Sequence, residues 1–340
     1  MSLITLSSPH HTQSTGVNKV MLQVLMALVP GIVALCLFFS PIYLFNLLIG
    51  CSTALAVEAL ILRLRRCPVA FHLRDLSALV TAVLLVISMP PLIPWWITVL
   101  AVSCALLLGK HLYGGLGFNP FNPAMVAFAL MIVSFPVPMT TLWLAPNSGL
   151  DFASALQIVL GQTLLPDGIS SATPLDYYKT QVGRLTATEI YQSELFFGIW
   201  PAGWIWVSLA YLVGGLFLLY KKVFSWHAPL GLLVGLAVLA LIFGLDPDSN
   251  TPLHLHLLAG SAIVGAFFIV TDPVSGATSR LGKFIFGFGV GCLAYVIRTW
   301  GSYPDAIAFA VLLMNFAAPF IDHYSKPRTY GHSTRHQGYK

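Results

Sequence analysis

The chain has 340 residues, of which 57% are hydrophobic and only 9% are charged, whereas a soluble domain carries about 25% charged residues. Together with a mean hydropathy of +0.83, this excludes a soluble globular class and predicts an all-α polytopic membrane protein, because backbone groups in lipid must be hydrogen-bonded within the spanning segment. The net charge of +5 is what short orienting loops supply and implies no nucleic-acid partner.

The N-terminus up to Val20 is polar and rich in Ser, Thr and His. The apolar stretch that follows is too long for a signal-peptide core and reads as a retained first span. Ten spans are predicted, at 20–40, 42–62, 77–89, 92–109, 123–139, 198–220, 228–245, 257–271, 281–298 and 304–322. They divide into two halves of five. An odd number per half makes any internal repeat inverted in the membrane. The third segment of each half is short, stopped by Pro90-Pro91 and by Asp272-Pro273. Matched short segments point to a midplane site.

With both termini cytoplasmic, fourteen of the 17 Lys and Arg residues lie inside, Lys110 among them. Lys179, Arg184 and Arg298 lie outside, so the positive-inside rule selects this orientation. The resulting organisation is a membrane half at 1–139, an outer loop at 140–197, a second membrane half at 198–322 and a cytoplasmic tail at 323–340. An outer loop of that length is uncommon without a function.

That loop contains Asp167-Gly-Ile-Ser-Ser-Ala-Thr173, in which small neighbours leave the threonine hydroxyl open. The pattern resembles the sequon of the exported flavin transferase, which joins the phosphate of FMN to a Thr or Ser oxygen. An unmodified turn is the plain alternative. Asp272-Pro-Val-Ser-Gly-Ala-Thr278 fits the pattern equally well, but the topology puts it inside, away from a transferase that works outside. Thr173 is therefore expected to carry FMN, and Thr278 is expected to sit in a turn at the membrane edge.

Glu58 lies within the second span, where a carboxylate costs about 2.5–3.5 kcal/mol on insertion scales. It ranks first as an ion or proton ligand, with Asp272 next and Asp322 at another span end. Pairing with a neighbouring helix or a partner protein is the alternative for Glu58. His254 and His256 form a His-x-His pair without an evident third ligand, and no C-x-x-C occurs among the five cysteines, so no metal site is implied.

The run Gly115-Leu-Gly-Phe-Asn119-Pro-Phe-Asn122-Pro-Ala, the segment Thr271 to Thr278, the run Tyr303-Pro-Asp-Ala-Ile-Ala-Phe-Ala and the ending Asp322-His-Tyr…Lys326-Pro-Arg…Tyr330-Gly-His occur in that order. Together they are similar to the D-type membrane subunits of the Rnf (Rsx) ion-translocating complexes, a family paralogous to the B-type subunits of the sodium-pumping NADH:quinone oxidoreductase. The resemblance implies one covalent FMN, matching Thr173, and a non-covalent riboflavin near the turn of Asn119 and Asn122. It implies ion handling at positions such as Glu58, Asp272 and Asp322. It also implies the bacterial inner membrane, partner subunits of the complex, and a flavin transferase for maturation. Such a protein would relay electrons between ferredoxin and NAD and would not be catalytic alone. Two rivals remain from the residues themselves: a solute channel or transporter built like urea channels, and a passive scaffold.

Overall fold

The computed structural model describes residues 16–164, 166, 168–301 and 306–325. Residues 1–15, Asp167 of the first motif, the Tyr303-Pro-Asp305 run and the tail from Lys326 onward lie outside the described residues, so the predicted placement of both termini does too.

α1 (Val17–Phe38) and α2 (Ile42–Leu64) are unbroken apolar helices of 22 and 23 residues. At about 1.5 Å per residue, each outspans a hydrocarbon core about 30 Å thick. A short α3 (Val69–Leu73) leads to α4 (Ser77–Ser88), which ends ahead of Pro90-Pro91. The irregular stretch after α4 is buried, and the Asn46 side chain of α2 donates to Pro91 O at 2.8 Å, since irregular backbone at membrane depth needs such partners. α5 (Trp95–Cys104) continues through a π-helical turn at Ala105–Lys110 and a 3₁₀ turn at His111–Tyr113. α6 (Pro123–Ser134) is capped by the Asn122 side chain. The predicted span at 123–139 breaks at Phe135, and α7 (Pro136–Thr141) follows, because a proline closes the preceding helix.

The long loop at 140–197 is folded over its described residues. It carries α8 (Phe152–Val159), α9 (Pro174–Gln181), α10 (Ala187–Ile190) and a hairpin of β1 (Phe196–Phe197) with antiparallel β2 (Trp200–Pro201). Leu175, Tyr178, Ile190, Leu195 and Phe196 form a small core against Leu255 and Ala259. Tyr178 Oη donates to Pro247 O at 2.8 Å, and Ala187 N donates to Asp248 Oδ1 at 2.6 Å, so the second half anchors the loop.

The hairpin takes up the start of the predicted 198–220 span, and α11 (Trp204–Tyr220) begins after Gly203. α12 (His227–Phe243) follows. The predicted 257–271 span is broken into α13 (Leu253–Leu258) and α14 (Ala262–Val264), the latter running into a π-helical turn at Gly265–Ile269. α15 (Arg280–Trp300) and α16 (Ile307–Ser325) complete the described residues. Among the described residues, five helices (α1, α2, α5 extended to Tyr113, α15 and α16) are long and apolar enough to cross a membrane, and α4, α6, α11 and α12 are shorter apolar helices.

Small residues set the helix packing. Gly231 and Gly235 of α12 face Gly287 and Gly291 of α15 closely enough that a Cβ on Gly291 would stand 2.2 Å from Leu232 O. Such four-residue spacing lets helix backbones meet where lipid supplies no hydrophobic drive. α1 packs on α11 in the same way, with Gly214 against the Ala27 carbonyl and Gly31 against the Tyr211 ring. α6 packs on α16. Outward faces remain apolar, as at Leu37, Leu48, Val213 and Phe316.

Among the described residues of the charge count, two are buried inside the protein. Lys110 is buried in the π-turn that ends α5, and Arg298 is buried inside α15, where its Nη1 donates to the His256 carbonyl at 2.7 Å. Charge held by a partner inside the protein says little about orientation.

Candidate functional site: two cavities between the halves

Both principal cavities are lined by residues of both halves. The larger, about 190 Å³, lies at the Lys110 end; its walls include Ser77, Lys110, Asn119, Asn122, Asp272 and Lys283. The smaller, about 70 Å³, includes Trp143, Thr173, Trp204 and Tyr211. On α4, Leu84 lines the first and Ile87 the second, about 4.5 Å apart along the axis at 1.5 Å per residue. Ala124 and Met125 of α6 divide in the same way. The two cavities therefore lie close to each other along α4 and α6.

At the smaller cavity, Thr173 is the N-cap of α9: its Oγ1 accepts from Asp176 N at 3.3 Å, with Pro174 at the first helical position. Thr at an N-cap followed by Pro is a local start signal that the sequence carries itself. The Thr173 side chain thus sits at a helix N-terminus, where backbone N–H groups and the dipole favour an anion. Burial pushes the Asp176 carboxyl up from its ordinary value, with Lys179 opposing, and burial pushes the Lys179 ammonium down, with Asp176 opposing. Trp143 and Trp204 meet edge to face, with centroids 5.6 Å apart. The Tyr211 hydroxyl is buried with no hydrogen-bond partner.

Thr278 differs from Thr173 in exposure. It is exposed, its backbone N–H donates to Asp322 Oδ1 at 2.8 Å, and the Asp272 carboxylate accepts from Ser275 Oγ at 2.5 Å. The second motif forms a turn held by Asp272 and Asp322. Exposure alone would favour Thr278 for modification, whereas Thr173 has a helix N-terminus and a recess wall beside it.

At the larger cavity, Asn122 Oδ1 accepts from Ala124 N and Met125 N at 3.1 and 3.3 Å, and Asn119 Nδ2 donates to Phe121 O at 2.9 Å. Each Asn therefore spends one side-chain function on its own turn. Asn119 Oδ1 and Asn122 Nδ2, one acceptor and one donor, are left for the cavity. The Asn315 amide, in the orientation that satisfies it, donates to Ser275 O and accepts from Asn122 N at 3.2 and 3.1 Å. It ties the Asn119–Asn122 turn to the Asp272–Thr278 turn.

Of the predicted acidic residues, only Asp272 lines this cavity. Both oxygens of Glu58 are engaged: Lys110 Nζ and His111 Nε2 donate to them, each at 2.8 Å. Lys110 Nζ also donates to Ser77 Oγ at 2.8 Å, and Ser77 Oγ to Asp75 Oδ1 at 2.6 Å. Sequence reasoning counts Lys110 as an orienting charge and passes over His111. A lone carboxylate inside a span needs a cation at its own depth, and that is the available signal. His254 Nε2 donates to Ile199 O at 2.9 Å, and the His256 ring lies against Tyr295.

Residues 4–331 match the model of the NQR2, RnfD, RnfE family. The chain belongs to that family. Similar full-length proteins include one from Ectopseudomonas mendocina, described as the D-type subunit of an ion-translocating oxidoreductase complex, which is 52% identical over all of this chain and 99% of that protein. The proteins of the same description from Marinobacter nauticus and Alcanivorax borkumensis are 49% and 47% identical, each over 99% of this chain and 98% and 99% of their own lengths. Membership of the NQR2, RnfD, RnfE family agrees with the motif order from Gly115 to Tyr330.

Proposed function

We propose that the chain is the D-type membrane subunit of an Rnf-like ion-translocating oxidoreductase complex in the bacterial inner membrane, relaying electrons through FMN joined by a phosphodiester to Thr173 Oγ1. It acts only with the other subunits, and an exported flavin transferase loads it. The observation that carries this reading is the place of Thr173: a hydroxyl at the start of α9, on the wall of a recess lined by Trp143, Trp204 and Tyr211. A phosphate there meets helix N–H groups, and a covalent tether holds a ring that a 70 Å³ recess would not retain. Flavin supplies one-electron and two-electron chemistry; the chain supplies position and charge.

A riboflavin at the larger cavity is the second part of the proposal. Asn119 Oδ1 and Asn122 Nδ2 offer the acceptor and donor that the edge of an isoalloxazine ring requires. The α1–α11 and α6–α16 contacts pair matching members of the two halves, which supports an inverted repeat; the placement of both termini in the cytoplasm rests on the charge distribution alone. For ion coupling, the geometry puts Asp272 ahead of Glu58, since Asp272 faces a cavity while Glu58 is engaged by Lys110 and His111. Asp322 serves the Thr278 turn.

In-gel fluorescence of the denatured chain under ultraviolet light tests the central part. Wild type and Thr278→Ala are expected to fluoresce when co-expressed with the transferase, and Thr173→Ala to be dark. A dark wild type would favour a channel or a scaffold.

A further inference from the structure

Lys110 combines three features that an orienting lysine does not need. It is buried to 3% exposure, it ends a π-helical turn, and it lines the larger cavity beside Asn119 and Asn122. π-turns are costly and cluster at functional positions. This one is locked in place: a Cβ on Gly109 would stand 2.6 Å from Pro123 Cα, so the end of α5 is pressed against the start of α6, next to Asn122. An ammonium group has three N–H donors, and two are taken by Glu58 and Ser77. The third remains for the cavity. Glu58, the counter-charge, does not line the cavity, whereas Lys110 does. Glu58 is in turn held by His111, and Ser77 by Asp75. The whole cluster therefore presents its positive end to the cavity and keeps its negative members behind.

We propose that Lys110 is the fixed cation that sets the reduction potential of the group held in this cavity. The proposal rests on the riboflavin reading above and deepens it. When a reduced one-electron carrier of a partner protein gives up one electron to the cavity, that carrier is oxidised by one unit and the cavity gains one negative charge. No bond forms or breaks. Lys110 balances the added charge through its remaining N–H. Low-dielectric surroundings strengthen that attraction, and Lys283 on the same wall adds to it with the same sign, whereas Asp272 opposes it.

The experiment is a redox titration of the dissociable riboflavin in the purified, fully assembled complex, with the riboflavin content measured after denaturation. Lys110→Gln keeps hydrogen-bonding capacity and drops the charge. It is expected to lower the reduction equilibrium constant at least tenfold, which is 59 mV for one electron, while Lys110→Arg stays near wild type. If Lys110→Gln does not assemble because Glu58 is stranded, Glu58→Gln/Lys110→Gln leaves no unpaired charge and is expected to shift the potential the same way. An unchanged potential in whichever neutral variant assembles overturns the proposal. So does failure of both while Lys110→Arg assembles, since the cation would then serve folding alone. Absence of dissociable riboflavin from the wild-type complex would instead sink the cofactor reading of the cavity.

Discussion

Glu58 and Lys110 stand or fall together. Removing one member of a buried ion pair leaves an uncompensated charge and costs about 3–5 kcal/mol, whereas replacing both can be close to neutral. Glu58→Gln is therefore expected to lower stability by about that amount, and Glu58→Gln/Lys110→Gln to recover most of the loss. Thermal unfolding of the detergent-solubilised complex checks both. A double variant as unstable as the single one would contradict the pairing. Thr173 and Asn122 are singled out in the sequence by a motif and by a family resemblance, and the structure shows each as an N-cap followed by proline, a signal confined to neighbouring residues. The ion pair is not legible, since Glu58 lies 52 residues before Lys110, and a lysine that ends an apolar run looks the same whether it faces water or a carboxylate.

At the scale of elements, hydrophobic length locates α2 and α15 to within about two residues, because each is one uninterrupted apolar run. It is less successful where tertiary structure interrupts a run, at Phe135, at the β1–β2 hairpin and at Ala259–Ser261. Apolar character there reflects burial beside other chain segments, and composition does not distinguish that from burial in lipid. Glycine spacing contains information that hydropathy ignores. A Cβ on Gly235 would lie 2.3 Å from Phe288 O, and backbone cannot yield as a side chain does. Gly235→Leu is expected to separate α12 from α15, at the upper end of the roughly 1–3 kcal/mol typical of overpacking or beyond it. Leu241→Val, on the exposed face of α12, is expected to change little. Fluorescence-detected size-exclusion yield compares them, and equal yields would contradict the close α12–α15 contact.

For the whole molecule, the proposed electron and ion steps would meet at cavities lined by both halves. Coupling requires that charge arriving in the larger cavity bias the packing of one half against the other, as an effector biases a two-state element. Asp272 is the carboxylate on that cavity's wall, so Asp272→Asn is expected to abolish redox-driven ion uptake into proteoliposomes while leaving flavin fluorescence intact. Unchanged uptake would remove Asp272 from the ion path. The mostly helical, apolar architecture, the family and the motif order are readable from the chain. The convergence of Lys110, Asn119, Asn122 and Asp272 on one cavity is not, because it depends on how the two halves dock.

Mass spectrometry of the proteolytic peptide containing Thr173, from complex made with its flavin transferase, tests the central claim most directly. The account predicts that this peptide carries the mass of FMN less one water, with the fragment series placing it on Thr173, and that the Thr278 peptide is unmodified. An unmodified Thr173 peptide, or the added mass on Thr278, would contradict it.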